Sequence, residues 1–254
     1  MTGVRGLARR ARRATLAQRR RWARRRVVTV ALPGGGTLRW RADDRYPDAM
    51  ATGDYERDLV ALLAGSLGAG DRFLDLGANS GYLSFVARDL VGADGRVVAV
   101  EPRPDNLATL RDRASLNPHL PVEVVAAAVA PRSGPVTLHL TENLANARIE
   151  GGGWSHEKPA VGTIEVAGEA FDDLLAEVRP HVVKMDVEGA EGAVLSASGG
   201  PATWPGRPVL LVEYHGEDNR ATCRALGDRW GYGCEERAPD GPLPAGLLVL
   251  RRPR

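Results

Sequence analysis

Along this chain, short apolar runs alternate with stretches in which apolar residues return at helical spacing. The runs predict strands at Phe73–Leu76, Val97–Val100, Val122–Ala126, Val136–Leu140, His181–Met185, Val209–Val212 and Gly246–Leu250. The spaced stretches predict helices near Tyr82–Val91, Pro104–Leu116, Ala170–Glu177, Ala190–Ala197 and Asn219–Trp230. A further helix from about Asp54 follows from Tyr55, Leu59, Leu62, Leu63 and Leu67, with Gly68 and Gly70 as its stop. Nearly continuous apolar strands between helices imply a mostly parallel sheet covered on both faces, a doubly wound α/β fold. Such folds take ligands beyond the carboxyl ends of their strands.

Two regions depart from that alternation. Val27–Leu32 and Thr37–Trp40 flank Pro33-Gly34-Gly35-Gly36, the pattern of an accessory hairpin with a glycine turn. Thr141–Gly162 is the longest irregular stretch and carries a triple glycine, Trp154 and His156; it reads equally as a binding loop or as a plain surface excursion. The chain therefore divides into an arm at 1–26, a hairpin at 27–53 and a main domain at 54–254.

Charge sharpens the division. Met1–Arg26 holds eleven arginines and no acid; with these set aside, 23 basic residues face 32 acidic ones, a balance of −9. The body is acidic and the basic character belongs to the arm. Such an arm can bind nucleic acid or an anionic surface, but only Trp22 offers base stacking and a solvated tail is the favoured reading. No apolar run approaches the roughly 18 residues of a membrane span, and no apolar segment of a secretory signal follows the arginines. Cys223 and Cys234 lack metal-site spacing and read as reduced thiols of a cytoplasmic protein.

The first strand runs into FLDLGANSGYLS, a glycine turn that opens a helix. In the dinucleotide fingerprint the second and third glycines bring backbone against a pyrophosphate. Counted from Gly77, Asn79 and Tyr82 stand at those places, so a dinucleotide is disfavoured. Asp75 closes the first strand, where it can face a cationic group directly or through water. Glu101 ends the second strand, where a carboxylate matches two ribose hydroxyls. Together these describe a pocket for a nucleoside with a compact charged tail, the shape of S-adenosylmethionine.

DLGANSGYLS, VEPRPDNLATLRDRASLN, VVKMDVEGAEGAVL and VLLVEYH together resemble the FkbM family of S-adenosylmethionine-dependent methyltransferases, over about Tyr55 to Leu250. The resemblance implies a Rossmann-like, seven-stranded, mostly parallel sheet of the class I methyltransferases. Its last hairpin would be antiparallel, near Cys234–Glu236 and Leu247–Leu250. It also implies a cofactor loop at Asp75, Gly77, Asn79 and Gly81, ribose contacts from Glu101, Asn106 close by, and Ala127 in the turn bordering the adenine. The activity it implies is O-methylation of a hydroxyl on a sugar, glycosylated or polyketide-like small molecule.

Methyl transfer is an in-line displacement, so a protein mainly positions the acceptor and takes its proton. Candidates lie past the later strands. Asp186, in KMDVEGAE, can orient the acceptor, act as base or help hold a metal, with Glu188 sharing that duty. Glu191 suits the first turn of the next helix electrostatically. Glu213 and His215 are two apart on one strand and can point to one side, which makes His215 the preferred base. The competing reading of Asp186 is an ion pair with Lys184. A divalent cation could gather on Asp186, Glu188, Glu213 and His215, although the spacing does not require one. The alternatives to a small-molecule enzyme are a methyltransferase acting on RNA or another polyanion through the arm, and a non-catalytic scaffold of the same fold.

Overall fold

The computed structural model describes residues 27–41, 52–141, 147–149, 160–237 and 245–253. The arm at 1–26 lies outside these residues, as do Trp154 and His156.

The main sheet has seven strands: β3 (Arg72–Leu76), β4 (Arg96–Val100), β5 (Glu123–Val125), β10 (Val182–Met185), β11 (Val209–His215), β12 (Gly233–Arg237) and β13 (Ala245–Arg251). Their spatial order is β12-β13-β11-β10-β3-β4-β5. The five strands from β11 to β5 are parallel, and β13 pairs antiparallel with both β11 and β12. This is the mostly parallel, seven-stranded arrangement expected, antiparallel hairpin included.

Period-two alternation divides the sheet into two faces. Phe73, Val97, Val182 and Leu211 pack with the hairpin β1 (Val27–Ala31) and β2 (Thr37–Arg41), with α1 (Arg57–Ala64) and with α2 (Tyr82–Val91). Leu74, Leu76, Val98, Val100, Val183, Met185, Leu210 and Val212 face the other way. They pack against α4 (Phe171–Val178), α5 (Glu191–Ala197) and Cys223 of α6 (Glu217–Arg229). With α3 (Pro104–Leu116) these make six helices among the described residues. Both cysteines are free.

The hairpin is seated firmly on the domain. Trp40 is fully buried, with the Arg113 guanidinium 3.6 Å over its ring and Tyr82 meeting it edge-on at 5.8 Å. Asn117 of the chain after α3 brackets Arg39, accepting from its N–H and donating to its carbonyl. The turn glycines approach Asp89 closely enough for Gly34 and Gly36 to donate backbone N–H groups to its carboxylate at 2.6 and 3.0 Å. A Cβ at Gly36 would overlap that carboxylate.

One expected strand lies elsewhere. β7 (Gly134–Leu140), which contains Val136–Leu140, belongs to a second sheet of order β6-β9-β7-β8. Its partners are β8 (Ala147–Ile149), inside the stretch read as irregular, and β9 (Gly162–Ala170), which the apolar pattern did not indicate. The run Val122–Ala126 likewise yields β5 in the main sheet, while β6 (Ala128–Ala130) turns into the second. The reason is burial: β9 alternates exposed and half-buried positions, the signature of a strand with one solvated face, whereas the central parallel strands β3, β4 and β10 are buried at nearly every position.

Candidate active site

Where the second sheet folds over the carboxyl ends of β3, β4 and β10, an open cleft encloses about 530 Å3, solvent at its mouth included. Gly77, Asn79, Glu101, Asn106 and Ala127 line one part of it, Asp186 and Glu188 another, and Leu138, Ala147 and Ile149 of the second sheet complete it. A cleft of this size at the strand ends is the usual ligand site of a doubly wound sheet.

The glycine turn is held from both sides. Gly77 and Ala78 donate backbone N–H groups to the carbonyl of Val100, so the loop after β3 is pinned to the end of β4. Gly77 has φ 77° and its α-carbon abuts the carbonyl of Asp186, leaving no space for a side chain. Asn79, also left-handed at φ 52°, donates its N–H to Glu101 Oε2 at 2.8 Å. Glu101 Oε1 accepts from the Arg103 N–H at 2.9 Å and from Asn106 Nδ2 at 3.1 Å. Burial raises the Glu101 pKa, and the hydrogen bonds from Arg103, Asn106 and Asn79 oppose that rise. The carboxylate is thus fixed at the cleft wall, with one protein-bound edge on each oxygen.

Asp75 and Gly81, expected in the cofactor loop, do not line the cleft. Asp75 is 1% exposed and lies behind Gly77, where Ser84 Oγ donates to it at 2.5 Å and Lys184 Nζ stands 3.6 Å away. Burial raises its pKa against the pull of Lys184 and Ser84. A strand-end acid can project behind its own turn as readily as in front of it, and the buried lysine decides the matter here. Gly81 caps α2 at φ 85°, with Leu110 and Phe85 crowding the place of a Cβ, so its service is packing.

Lys184 is a residue whose importance the sequence hid behind an ion-pair reading. Its ammonium donates to the Gly77 carbonyl at 2.9 Å and sits 3.4 Å from Asp186 Oδ2 as well as 3.6 Å from Asp75. Burial would discharge it, but the charges of Asp186 and Asp75 outweigh that penalty and push its pKa up.

The acceptor-side candidates separate. Asp186 and Glu188 face the cleft, whereas Glu213 and His215 are not among its lining residues. Burial, with the Asp186 charge adding to it, drives the Glu213 carboxyl well above the ordinary range. His215 lies behind the two cleft carboxylates, its Nε2 3.8 Å from Asp186 Oδ1 and 3.7 Å from Glu188 Oε2. Burial disfavours its charge. The hydrogen bond to Glu191 and the charges of Asp186, Glu191 and Glu188 more than compensate, taking the imidazole up to about 10. His215 stands beside the cleft carboxylates, outside the residues that line the cleft.

Glu191 does more than favour a helix dipole. Fully buried, it accepts from the N–H groups of Val187 and Gly189 at 3.1 Å each and from His215 Nδ1 at 3.0 Å. One oxygen therefore shapes the turn after β10, where Glu188 is left-handed at φ 54°, and orients the ring at the end of β11. No sequence signal shows that a first-turn glutamate folds back in this way. Leu138, Ala147 and Ile149 were equally invisible, since they reach the cleft only through the second sheet.

A twisted parallel sheet with a ligand cleft at its strand ends and an antiparallel terminal hairpin is the Rossmann-like fold of class I methyltransferases. Its shape is similar to that of the precorrin-6y C5,15-methyltransferase from Geobacter metallireducens GS-15, at 16% identity over 78% of this chain and 90% of that one, with a TM-score of 0.50. Weaker similarities join it to an FkbM methyltransferase from Methylobacillus flagellatus KT (15% identity, 83% of this chain, 62% of that one, TM-score 0.48). Another is to Aeropyrum pernix fibrillarin with natively bound S-adenosyl-L-methionine (15%, 88% and 93%, TM-score 0.46). A search of the curated proteins finds no match. The family model described as the methyltransferase FkbM domain matches residues 75–232, more than half of the chain, and the protein belongs to that family.

Proposed function

We propose that the protein is an S-adenosylmethionine-dependent O-methyltransferase acting on a hydroxyl of a sugar, glycosylated or polyketide-like small molecule. The observation that supports this reading is one cleft lined by two sets of polar groups, Glu101, Asn79 and Asn106 from the chain after β3 and β4, and Asp186 and Glu188 from the chain after β10.

S-adenosylmethionine supplies a methyl carbon activated by its sulfonium. Glu101 accepts hydrogen bonds from the ribose hydroxyls, Asn106 holds Glu101 in place, and Ala127, with no bulk beyond Cβ, admits the adenine. Lys184 fixes the Gly77 turn that passes beneath the nucleoside. Asp186 would orient the acceptor hydroxyl toward the methyl group that the cofactor would supply. The hydroxyl proton passes to the Asp186 carboxylate. Glu213 and His215 act from behind, with the His215 ring held against Asp186 and Glu188. Asp75 holds Lys184 in place, and Gly81 sets the start of α2. Residues 1–26 are an extension of the catalytic domain, and the two free cysteines suit the reducing cytoplasm to which we assign the chain.

The test is calorimetric titration of the full chain with S-adenosylhomocysteine, followed by incubation with S-adenosylmethionine and a panel of hydroxylated glycosides. Binding with a gain of one methylene in the product mass supports the reading. No binding of either cofactor form would overturn it.

A further inference from the structure

We propose that Asp186, Glu188 and His215 form a divalent-cation site at the acceptor end of the cleft. One donor atom from each lies within 4.8 Å of the others. The donors arrive from three places, the end of β10, the left-handed turn after it and the end of β11. An acid patch alone would carry no such conclusion; two further features do.

The first is the imidazole. Its Nδ1 is committed to Glu191, a carboxylate with no exposure to solvent, which leaves Nε2 directed between Asp186 Oδ1 and Glu188 Oε2 at 3.8 and 3.7 Å. Metal-ligating histidines are held in this way, the second ring nitrogen donating to a carboxylate that fixes ring orientation, and a bound cation takes the place of the Nε2 proton, which is released to solvent. The second is Asp186 Oδ1, which is shut off from solvent yet accepts no hydrogen bond among the described residues. A buried carboxylate oxygen without a donor is costly, and a cation satisfies it.

The dimensions and donor chemistry agree. Neighbouring ligands on an octahedral ion with bonds of ~2.1 Å stand about 3 Å apart, so His215 Nε2 has to close on each carboxylate by less than ~1 Å and no pair of donors by more than ~2 Å. Two hard oxygens and one imidazole suit Mn2+, with Mg2+ next, better than a thiolate-loving ion. Asp186 and Glu188 line the cleft, so the remaining coordination positions open toward the acceptor. An acceptor presenting two adjacent oxygens, such as a vicinal diol, can occupy two of them, and the bound hydroxyl becomes more acidic, which lightens the demand on Asp186 as base. The substrate class thereby narrows from any hydroxyl to a chelating pair; this last step rests on the methyltransferase reading, whereas the cation site does not.

The experiment uses the full chain, stripped with chelator and titrated with Mn2+ while free Mn2+ is followed by electron paramagnetic resonance. S-adenosylhomocysteine binding is measured on the same samples. One Mn2+ equivalent should be taken up, with Asp186→Asn and Glu188→Gln each weakening it at least tenfold. Glu191→Gln, which leaves the three ligands in place, should weaken it by about 10–100-fold. Retained S-adenosylhomocysteine binding reports that each variant is folded. Wild-type protein that binds S-adenosylhomocysteine and leaves all Mn2+ free overturns the site and spares the methyltransferase reading. Mn2+ uptake that is unchanged in Asp186→Asn and Glu188→Gln also overturns it. Mn2+ uptake without cofactor binding supports the site and removes the function proposed above.

Discussion

Replacing Lys184 with methionine tests whether the two ends of the cleft are held by one buried charge. The side chains of Lys184 and Asp75 are 5% and 1% exposed, so neither charge is screened by water. Methionine keeps most of the lysine stem but removes the hydrogen bond to the Gly77 carbonyl, worth roughly 1.5–3 kcal/mol for a charged donor. It also leaves the Asp75 carboxylate buried with Ser84 as its remaining hydrogen-bond donor among the described residues. Breaking a buried pair from one side typically costs about 3–5 kcal/mol, a large part of the 5–15 kcal/mol that stabilises an ordinary domain. Asp75→Asn in the methionine background removes the stranded charge, so the double variant should recover on the order of 2 kcal/mol of that loss. Urea denaturation of the wild type, both single variants and the double variant closes the cycle. A loss below ~1 kcal/mol for Lys184→Met, or single-variant losses that simply add, would refute the argument that Lys184 and Asp75 act as a unit.

Glu101→Ala should weaken S-adenosylhomocysteine binding by roughly 10–150-fold, the equivalent of the 1.5–3 kcal/mol of a charge-assisted hydrogen bond, and calorimetry reads it directly. Gly77→Ala should depress cofactor affinity and turnover together, because a Cβ pushes the loop off Asp186 at both ends of the cleft; kinetics showing a change in only one would contradict this. Glu236 is held down to about 2 from 4.5, first by its hydrogen bond from Arg220. Its folded pKa is depressed, so its stabilisation is present above pH 4.5 and lost as pH falls toward 2. Glu236→Gln should thus be less stable than wild type at pH 7, with thermal melts converging over that acid window. Deletion of residues 1–26 should leave the affinity for S-adenosylhomocysteine unchanged, since every residue proposed to hold the cofactor lies between Gly77 and Ala127 in the chain.

What the sequence revealed and what it withheld follow one physical rule. The parallel strands were legible because burial on both faces leaves no choice but apolar residues, as in Val97–Val100 and Val182–Val183. The glycine turn was legible as well, since Gly77 and Asn79 mark left-handed backbone. β9 escaped because half of its positions face solvent, and its Thr163, Glu165 and Glu169 mask the alternation. The direction of a side chain at a strand end escaped for a different reason. Asp75 lies inside β3 opposite Ala99 and faces a buried ammonium, whereas Glu101 lies just past β4 and faces the cleft, a two-residue offset that the apolar runs alone did not resolve. His215 was correctly drawn toward Asp186, but its charge depends on Glu191, twenty-four residues away in the chain.

The contact between Gly77 and the Asp186 carbonyl has a consequence for specificity. Asp186 also donates its N–H to the Leu76 carbonyl at 3.0 Å, so the Gly77 turn proposed to hold the donor and the carboxylate proposed to meet the acceptor are joined through backbone on neighbouring strands β3 and β10. Their separation is set by sheet geometry and is insensitive to side-chain rotamers, which is the preorganisation an in-line transfer needs. On the function proposed above, Asp186 cannot move in this chain without disturbing the Gly77 turn. The wall free to vary is the second sheet, where Leu138, Ala147 and Ile149 approach the cleft from strands that share no register with β3 or β10. Enlarging that wall by Ile149→Ala should therefore broaden the range of acceptors turned over while leaving cofactor affinity within about twofold, and selective loss of cofactor binding in that variant would place the donor against the second sheet instead.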